Sequence, residues 1–256
     1  MFVDSHCHLS FPELAQCVDS VLARMRQAQV TQALNVCVRL EEFAAVLSLA
    51  RAHADVYATV GVHPDTQGST EPTVAQLVQL ADDPKVIAIG ETGLDYFRLQ
   101  EPLEWQRERF RVHIRAAREA GKPLVIHTRA AADDTLRLMR EERAGDAGGV
   151  MHCFTESLDV ALAAIDLGFY ISFSGIVTFR NAHALQAVVP HVPVDRLLIE
   201  TDSPYLAPVP HRGKTNEPAW VPEVARKLAQ ITGRSVESIG RLTTDNFHRL
   251  FKVPVA

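Results

Sequence analysis

Cysteine is scarce in this chain, with four in 256 residues (Cys7, Cys17, Cys37 and Cys153), widely scattered and without a Cys-x-x-Cys pair. That excludes a disulfide-stapled framework or a zinc ribbon and points to free thiols in a reducing compartment. No uninterrupted apolar run approaches the roughly 20 residues that span a bilayer. The first residues also lack a basic segment followed by an apolar core, so a cytoplasmic protein without membrane contact is expected. Blocks of Lys or Arg are missing and the formal net charge is −5. This argues against a protein that coats duplex nucleic acid through a broad basic face. It leaves room for an enzyme that handles a strand end or a small phosphorylated molecule at a metal site. Low-complexity segments and linkers are absent too. With 47% hydrophobic and 22% charged residues, one globular domain over 1–256 is expected. A monomer is the default, because no long exposed apolar stripe stands out.

What the sequence does have is alternation. Apolar runs at 2–5, 33–38, 56–61, 86–89, 124–126, 149–151, 169–172 and 197–199 read as strands. Helical patterns lie between them: Leu14, Val18, Val21 and Met25 recur at three- and four-residue steps, and Leu103, Phe110, Ile114 and Ala117 follow suit with one turn skipped. Gly121 and Pro123 stop one helix, Ser157 caps another, and Gly168 follows its last turn. Residues 218–250 read as two terminal helices broken near Gly233. Eight strand–helix units predict a single α/β (β/α)₈ TIM barrel. A doubly wound open sheet competes, and periodicity alone does not separate the two.

The polar residues carry the functional signal. Phe2-Val3-Asp4-Ser5-His6-Cys7-His8 begins as a buried strand, and alternation predicts Asp4, His6 and His8 on one face. Later strands end in His63, Glu91, His127, His152 and the pair Glu200 and Asp202. In a parallel barrel these ends share one rim, the C-terminal face where active sites of that fold lie. Any one such histidine is ordinarily a hydrogen-bonded rim residue, and any one acid a helix cap. Their repetition at successive strand ends is what points to a metal site. Mixed imidazole and carboxylate donors suit zinc, manganese, iron or nickel better than an all-oxygen calcium site. The donors exceed the needs of one four-coordinate ion, and two ions sharing a carboxylate explain the surplus. Such a pair lowers the pKa of bound water from about 15.7 towards 7 and clamps both oxygens of a displacement. The expected chemistry is hydrolysis.

Several motifs then resemble a known family: Asp4-Ser-His-Cys-His8-Leu, Gly61-Val-His-Pro64, Ile89-Gly-Glu-Thr-Gly-Leu-Asp-Tyr96, Pro123-Leu-Val-Ile-His-Thr-Arg129, His152-Cys-Phe-Thr155 and Glu200-Thr-Asp-Ser-Pro-Tyr-Leu-Ala-Pro208. Their order and spacing are similar to the TatD family of metal-dependent hydrolases, usually described as deoxyribonucleases within the amidohydrolase superfamily of barrels. The likeness runs from Asp4 to the region of Thr244–Phe247. It implies two divalent ions (zinc, manganese or magnesium). His6, His8, Glu91 and Asp202 would surround one and Glu91, His127 and His152 the other, with Glu91 as the bridge. It further implies that Asp202 orients or deprotonates the attacking water, and that His63 and Glu200 lie behind the ligands or touch substrate. The loop 208–218, with His211, Arg212, Lys214 and Asn216, is also family-like. Arg212 and Lys214 either meet a phosphate or pair with surface acids, and Arg129 has the same two readings. Tyr96 and Phe97 either stack on a base or pack the rim. The sequence departs from the family pattern at Ser10, Ala130-Ala131 and Glu156, the last adding a carboxylate near the mouth.

The working expectation is a two-metal phosphodiesterase removing nucleotides from single-stranded DNA or strand ends, of the 3′–5′ exonuclease type. Glu91 and Asp202 would be catalytic, with Arg129 or Lys214 steadying the phosphate. Two alternatives stand beside it: hydrolysis of a small-molecule C–N or ester bond, and a non-catalytic metal-stabilised scaffold.

Overall fold

A computed structural model of the chain describes residues 1–97 and 103–254. The expected domain's stretches 98–102 and 255–256 lie outside the described residues. The apolar runs form β1 (Phe2–Cys7), β2 (Val30–Asn35), β3 (Val56–Val60), β4 (Val86–Asp95), β5 (Leu124–Arg129), β6 (Gly149–Met151), β7 (Phe169–Phe173) and β8 (Leu197–Ile199). They lie parallel, each hydrogen-bonded to its neighbours in chain order. A doubly wound sheet would reverse that order at a switch point. The TIM-barrel expectation therefore holds.

Closure of the barrel is local. β8 meets β1 through one parallel bridge, Cys7 to Ser203. Around it His8 N donates to Ser203 O at 2.8 Å and Asp202 N to His6 O at 2.9 Å. The Asp4 carboxylate accepts from Thr201 N at 2.9 Å and Thr201 Oγ1 at 2.5 Å, and Ser5 Oγ donates to Ile199 O at 3.0 Å. The seam is thus fastened at the carboxyl ends of the two strands.

The opposite end is plugged with apolar side chains. Val3, Tyr57, Ile87, Val125, Val150, Tyr170 and Leu198, all within the first two residues of their strands, cluster with Phe247, Leu250 and Phe251 of the last helix, Val236–Phe251. A second apolar layer joins the outer strand faces to the surrounding helices. The helix Glu104–Ala120 supplies fully buried Phe110 and Ile114 to it, each side chain contributing about 1.5–3 kcal/mol on transfer from water. That helix ends at Gly121 with φ 64°, the left-handed stop expected of glycine. Ser157 caps Leu158–Asp166, accepting from Val160 N. Gly233 separates Val221–Thr232 from Val236–Phe251. None of the helices is long and apolar enough to cross a membrane among the described residues.

Several expectations on extent are corrected, with β1 reaching Cys7 and β5 reaching Arg129 past the expected ends at 5 and 126. β2 starts and ends three residues before the expected 33–38, because Val36 and Cys37 are buried in the loop that follows rather than in the strand. β4 runs to Asp95 instead of stopping at Ile89, since Gly90 and Gly93 permit an irregular ladder instead of breaking it. A Cβ on Gly93 would lie 1.9 Å from His127 O, so only glycine lets β4 approach β5 here. The stretch from Leu14 to Met25 is two helices, Pro12–Ala15 and Val18–Gln27.

Candidate metal centre

Simple alternation does not bring His6 and His8 to the site. Ser5 Oγ lies 3.1 Å from Ser172 Oγ, and the register of β1 against β2 shifts between Asp4 and Cys7. That irregularity resets the phase of the strand. Asp4, expected beside the two histidines, is instead turned into the seam against Thr201. It is fully buried, and burial pushes its carboxyl up to about 8 despite the Thr201 and His6 hydrogen bonds.

Glu91 lies at the middle of the constellation, and its two oxygens face different partners. Oε2 is 3.3 Å from His6 Nε2 and 3.9 Å from His8 Nε2. Oε1 is 2.8 Å from His152 Nε2, 3.3 Å from His63 Nε2 and 3.3 Å from His127 Nδ1. Asp202 joins the Oε2 side, with Oδ1 at 3.4 Å from His8 Nε2 and 3.6 Å from His6 Nε2. His152 also reaches across, its ring stacked on His6 at 3.8 Å between centroids. Donor atoms within 4.8 Å of one another occur in three groups that could hold an ion: His6, His8 and Glu91; His6, His152 and Asp202; and His63, Glu91 and His127. His63, expected behind the ligands or against substrate, is as close to Glu91 as His127 is.

The outer nitrogens are held in turn. His8 Nδ1 faces Val36 O at 3.2 Å, which fixes the ring with Nε2 towards Asp202. His63 Nδ1 is 2.5 Å from Asp65 Oδ1, His127 Nε2 is 3.2 Å from Asp95 Oδ2, and His152 Nδ1 is 3.3 Å from Glu200 Oε1. Carboxylate-backed imidazoles of this kind are the usual support of a metal ligand, fixing ring orientation and raising basicity. Glu200, fully buried, also accepts from Cys153 N at 2.7 Å. Expected behind the ligands or against substrate, it lies fully buried against His152.

The electrostatics suit a cation. Burial alone would raise the Glu91 carboxyl, yet the charges of His152, His63 and His6 with the His127 hydrogen bond hold it well below its ordinary value. Asp202 is lowered against the same burial by its hydrogen bond to His8 and by the charges of His6, His8 and His152. Burial opposes protonation of His152 and His63, but Glu91 with Glu200 raises the first well above the usual imidazole value. Glu91 with Asp65 raises the second to about 9. His6, by contrast, is lowered by burial and by the charge of His152. Without a bound cation, imidazole protons must therefore balance a buried carboxylate cluster. Divalent ions can do that balancing instead, and the donor set fits them.

The cluster opens into a cleft of about 810 Å³. Arg129 lines it, with its guanidinium carbon 3.8 Å from the centroid of the Phe97 ring. Arg39, Phe11 and Tyr205 also line it and were not picked out by sequence reasoning. Arg212 and Lys214 do not line it. Arg212 lies 3.9 Å from the Phe179 ring centroid and donates to Ala207 O, and Lys214 is exposed. Tyr96 packs on the rim, donating to Asp134 at 2.7 Å and accepting from Arg107 at 2.9 Å. Glu156 is half-buried outside the cleft lining, raised by burial.

Two sets of supporting residues escaped the sequence. Asp65 and Asp95 stand two and four residues past His63 and Glu91, beyond the expected strand ends at 61 and 89 and so outside the reach of alternation. Buried Arg109 donates to His63 O at 2.9 Å and Thr66 O at 2.8 Å and pairs with Glu71. One turn on, His113 accepts from Val62 N at 3.0 Å and faces Arg109 O at 2.8 Å. Burial lowers its pKa to about 4, so the ring is neutral and able to accept. Together they pin the loop bearing His63 from the helix beneath it.

A sequence model of the family described as TatD related DNase matches residues 3–252. The uncharacterized metal-dependent hydrolase YcfH of Escherichia coli K12 is 49% identical over 254 residues, covering 98% of this chain and 96% of that protein. The 3′-5′ ssDNA/RNA exonuclease TatD of Edwardsiella piscicida is 35% identical over 243 residues, covering 92% and 94%. Among solved structures, the TatD homologue YJJV of Escherichia coli K12 superposes with a TM-score of 0.93 at 29% identity, covering 99% of this chain and 98% of that one.

Proposed function

The chain belongs to the TatD-related DNase family and is a metal-dependent hydrolase, and from that premise we propose that it cleaves phosphodiester bonds at the end of a single nucleic-acid strand. The observation that carries this reading is the division of Glu91, with Oε2 towards His6 and His8 and Oε1 towards His63, His127 and His152. A carboxylate so placed can bridge two divalent ions, His6, His8 and Asp202 serving one and His127 and His152 the other. Imidazole with carboxylate suits zinc or manganese, with magnesium the harder alternative. When bound, the ions supply the positive charge that draws the phosphate in and the acidity that makes water a nucleophile near neutral pH.

The rest falls to side chains. Asp202, partly exposed and held ionised by His8 and His6, accepts the proton of the attacking water. Asp95 and Glu200 keep the His127 and His152 rings aimed inwards. Arg39 and Arg129 bring cations to a cleft otherwise rich in acids, as a polyanionic substrate requires. The Edwardsiella relative, named for single-stranded DNA and RNA, supports a nucleic-acid substrate cut from the 3′ end. The same reading takes 1–256 as one domain acting as a monomer.

The test is end-labelled single-stranded DNA incubated with metal-reconstituted protein, with Asp202→Ala alongside. Stepwise shortening by wild type alone is expected. No cleavage with magnesium, manganese or zinc would overturn the nuclease reading and move the search to small-molecule esters and amides.

A further inference from the structure

The β4–β5 ladder runs past the residues that hydrolysis needs. Gly93 pairs with His127, Leu94 with Thr128 and Asp95 with Arg129, and Tyr96 N donates to Arg129 O at 2.9 Å. This extension ends in Phe97, the most exposed large apolar side chain among the described residues at 62%. Phe97 does not itself line the cleft but lies against Arg129, which does, and holding its ring in water forgoes burial worth stability, so its position calls for a partner. The ring is not loose. Phe97 N donates to Asp95 Oδ1 at 2.9 Å, while Asp95 Oδ2 faces His127 Nε2 at 3.2 Å. One carboxylate thus sets both the His127 ring and the backbone of Phe97. Arg129 covers one face of the ring at 3.8 Å. It lines the cleft and makes no ion pair among the described residues.

Resting on the nuclease reading above, we propose that Phe97 and Arg129 form a platform for the nucleotide next to the bond being cut. The contact on Phe97 holds the Arg129 guanidinium beside the cleft, where its N–H groups can meet a phosphate. The uncovered face of Phe97 takes the base. Arg129 stands two residues past His127 along β5, about 6.6 Å at strand rise, a separation of the order of one step along an extended strand. An aromatic face accepts any base, and only one that is not stacked in a duplex. The platform therefore selects single strands without selecting sequence.

The experiment uses metal-loaded protein and single-stranded oligonucleotides carrying one abasic residue, moved position by position from the cleaved end. Metal content and thermal midpoint are checked for every variant. For wild type, kcat/KM should fall about tenfold at one position only, chiefly through KM. Phe97→Ala should lose about tenfold on intact DNA and nothing further at that position, and Phe97→Trp should restore wild-type behaviour. Arg129→Gln should lower the slope of log kcat/KM against log salt by about 0.7, one phosphate's share for a single strand. The platform is overturned, and the nuclease reading untouched, if the abasic and Phe97→Ala losses multiply at every position or if Phe97→Ala cleaves intact DNA like wild type. Failure of wild type to shorten any oligonucleotide overturns the nuclease reading, and the platform with it.

Discussion

The two sides of Glu91 are built differently. On the Oε2 side, His6 and His8 are 0% and 5% exposed and are set by the barrel itself: a strand irregularity, the Val36 carbonyl and the seam to β8. On the Oε1 side, His63 and His127 are 16% and 19% exposed while His152 is 3%, and each of the three is backed by a carboxylate. Burial and backbone hold one side and charge holds the other. A ligand held by packing is costly to displace but hard to tune. One held by a carboxylate is more basic and responds to pH, to salt and to single substitutions. The Oε1 side should therefore be the adjustable half of the centre.

That contrast can be broken in several ways. The largest effect is expected from Glu91→Ala, which serves both sides. Turnover should fall by roughly 10³-fold or more, beyond the about 10- to 100-fold that losing a supporting partner costs, and elemental analysis should find neither ion. Retention of one full equivalent would show that the sides do not depend on a shared carboxylate. Asp202→Ala comes next, with turnover reduced about 10²- to 10⁴-fold in a folded protein that keeps metal on the Oε1 side. Asp95→Asn removes only the charge behind His127. It should weaken one ion by about 10- to 100-fold, reversibly with added metal in a titration. Equal weakening of both ions would erase the distinction.

A smaller effect is expected from pH on metal-free protein. His63 is raised from 6.5 to about 9, so its stabilisation is fully present below about 6.5 and fades as pH rises through 9. Glu91 and Asp202 are lowered, so theirs is present above the ordinary carboxylate range and fades on acidification. Metal binding needs deprotonated imidazoles and strengthens as pH rises. The drop in thermal midpoint caused by a chelator should therefore widen from pH 6 to pH 9, and a constant drop would count against the assignment. Smallest of all, Ser157→Ala should cost about 1 kcal/mol of stability through its lost helix cap. It touches neither side, so kcat should not move.

The residues around Glu91 were legible as a set because strands deliver their terminal side chains to one rim, and polar residues repeated at such ends form a pattern. What was not legible depends on departures from strand alternation. Asp4 keeps phase with His6 in sequence but not in space, because the β1 register slips between them. Gly90 and Gly93 look like a strand end, and only the close approach of β5 explains why β4 continues through them. Asp65 acts by turning back towards His63 in the loop after β3, and Asp95 reaches His127 from the part of β4 that continues past Gly90 and Gly93. Arg109 and His113 read as ordinary members of a helix, and nothing in their spacing says that they hold the loop of another strand.

The fastening of β8 to β1 also bears on timing. Asp4 and Thr201 meet across 197 positions of chain, and Asp202 reaches His6 through the same closure. A ribosome delivers His6 and His8 first and Asp202 only after seven further strands have emerged. Non-local closure of this kind is slow, because loop entropy must be overcome before the contacts form. On the proposed assignment, a nascent or truncated chain holds donors for metal without the group that takes the proton. On that assignment, hydrolysis requires the closed seam between β8 and β1.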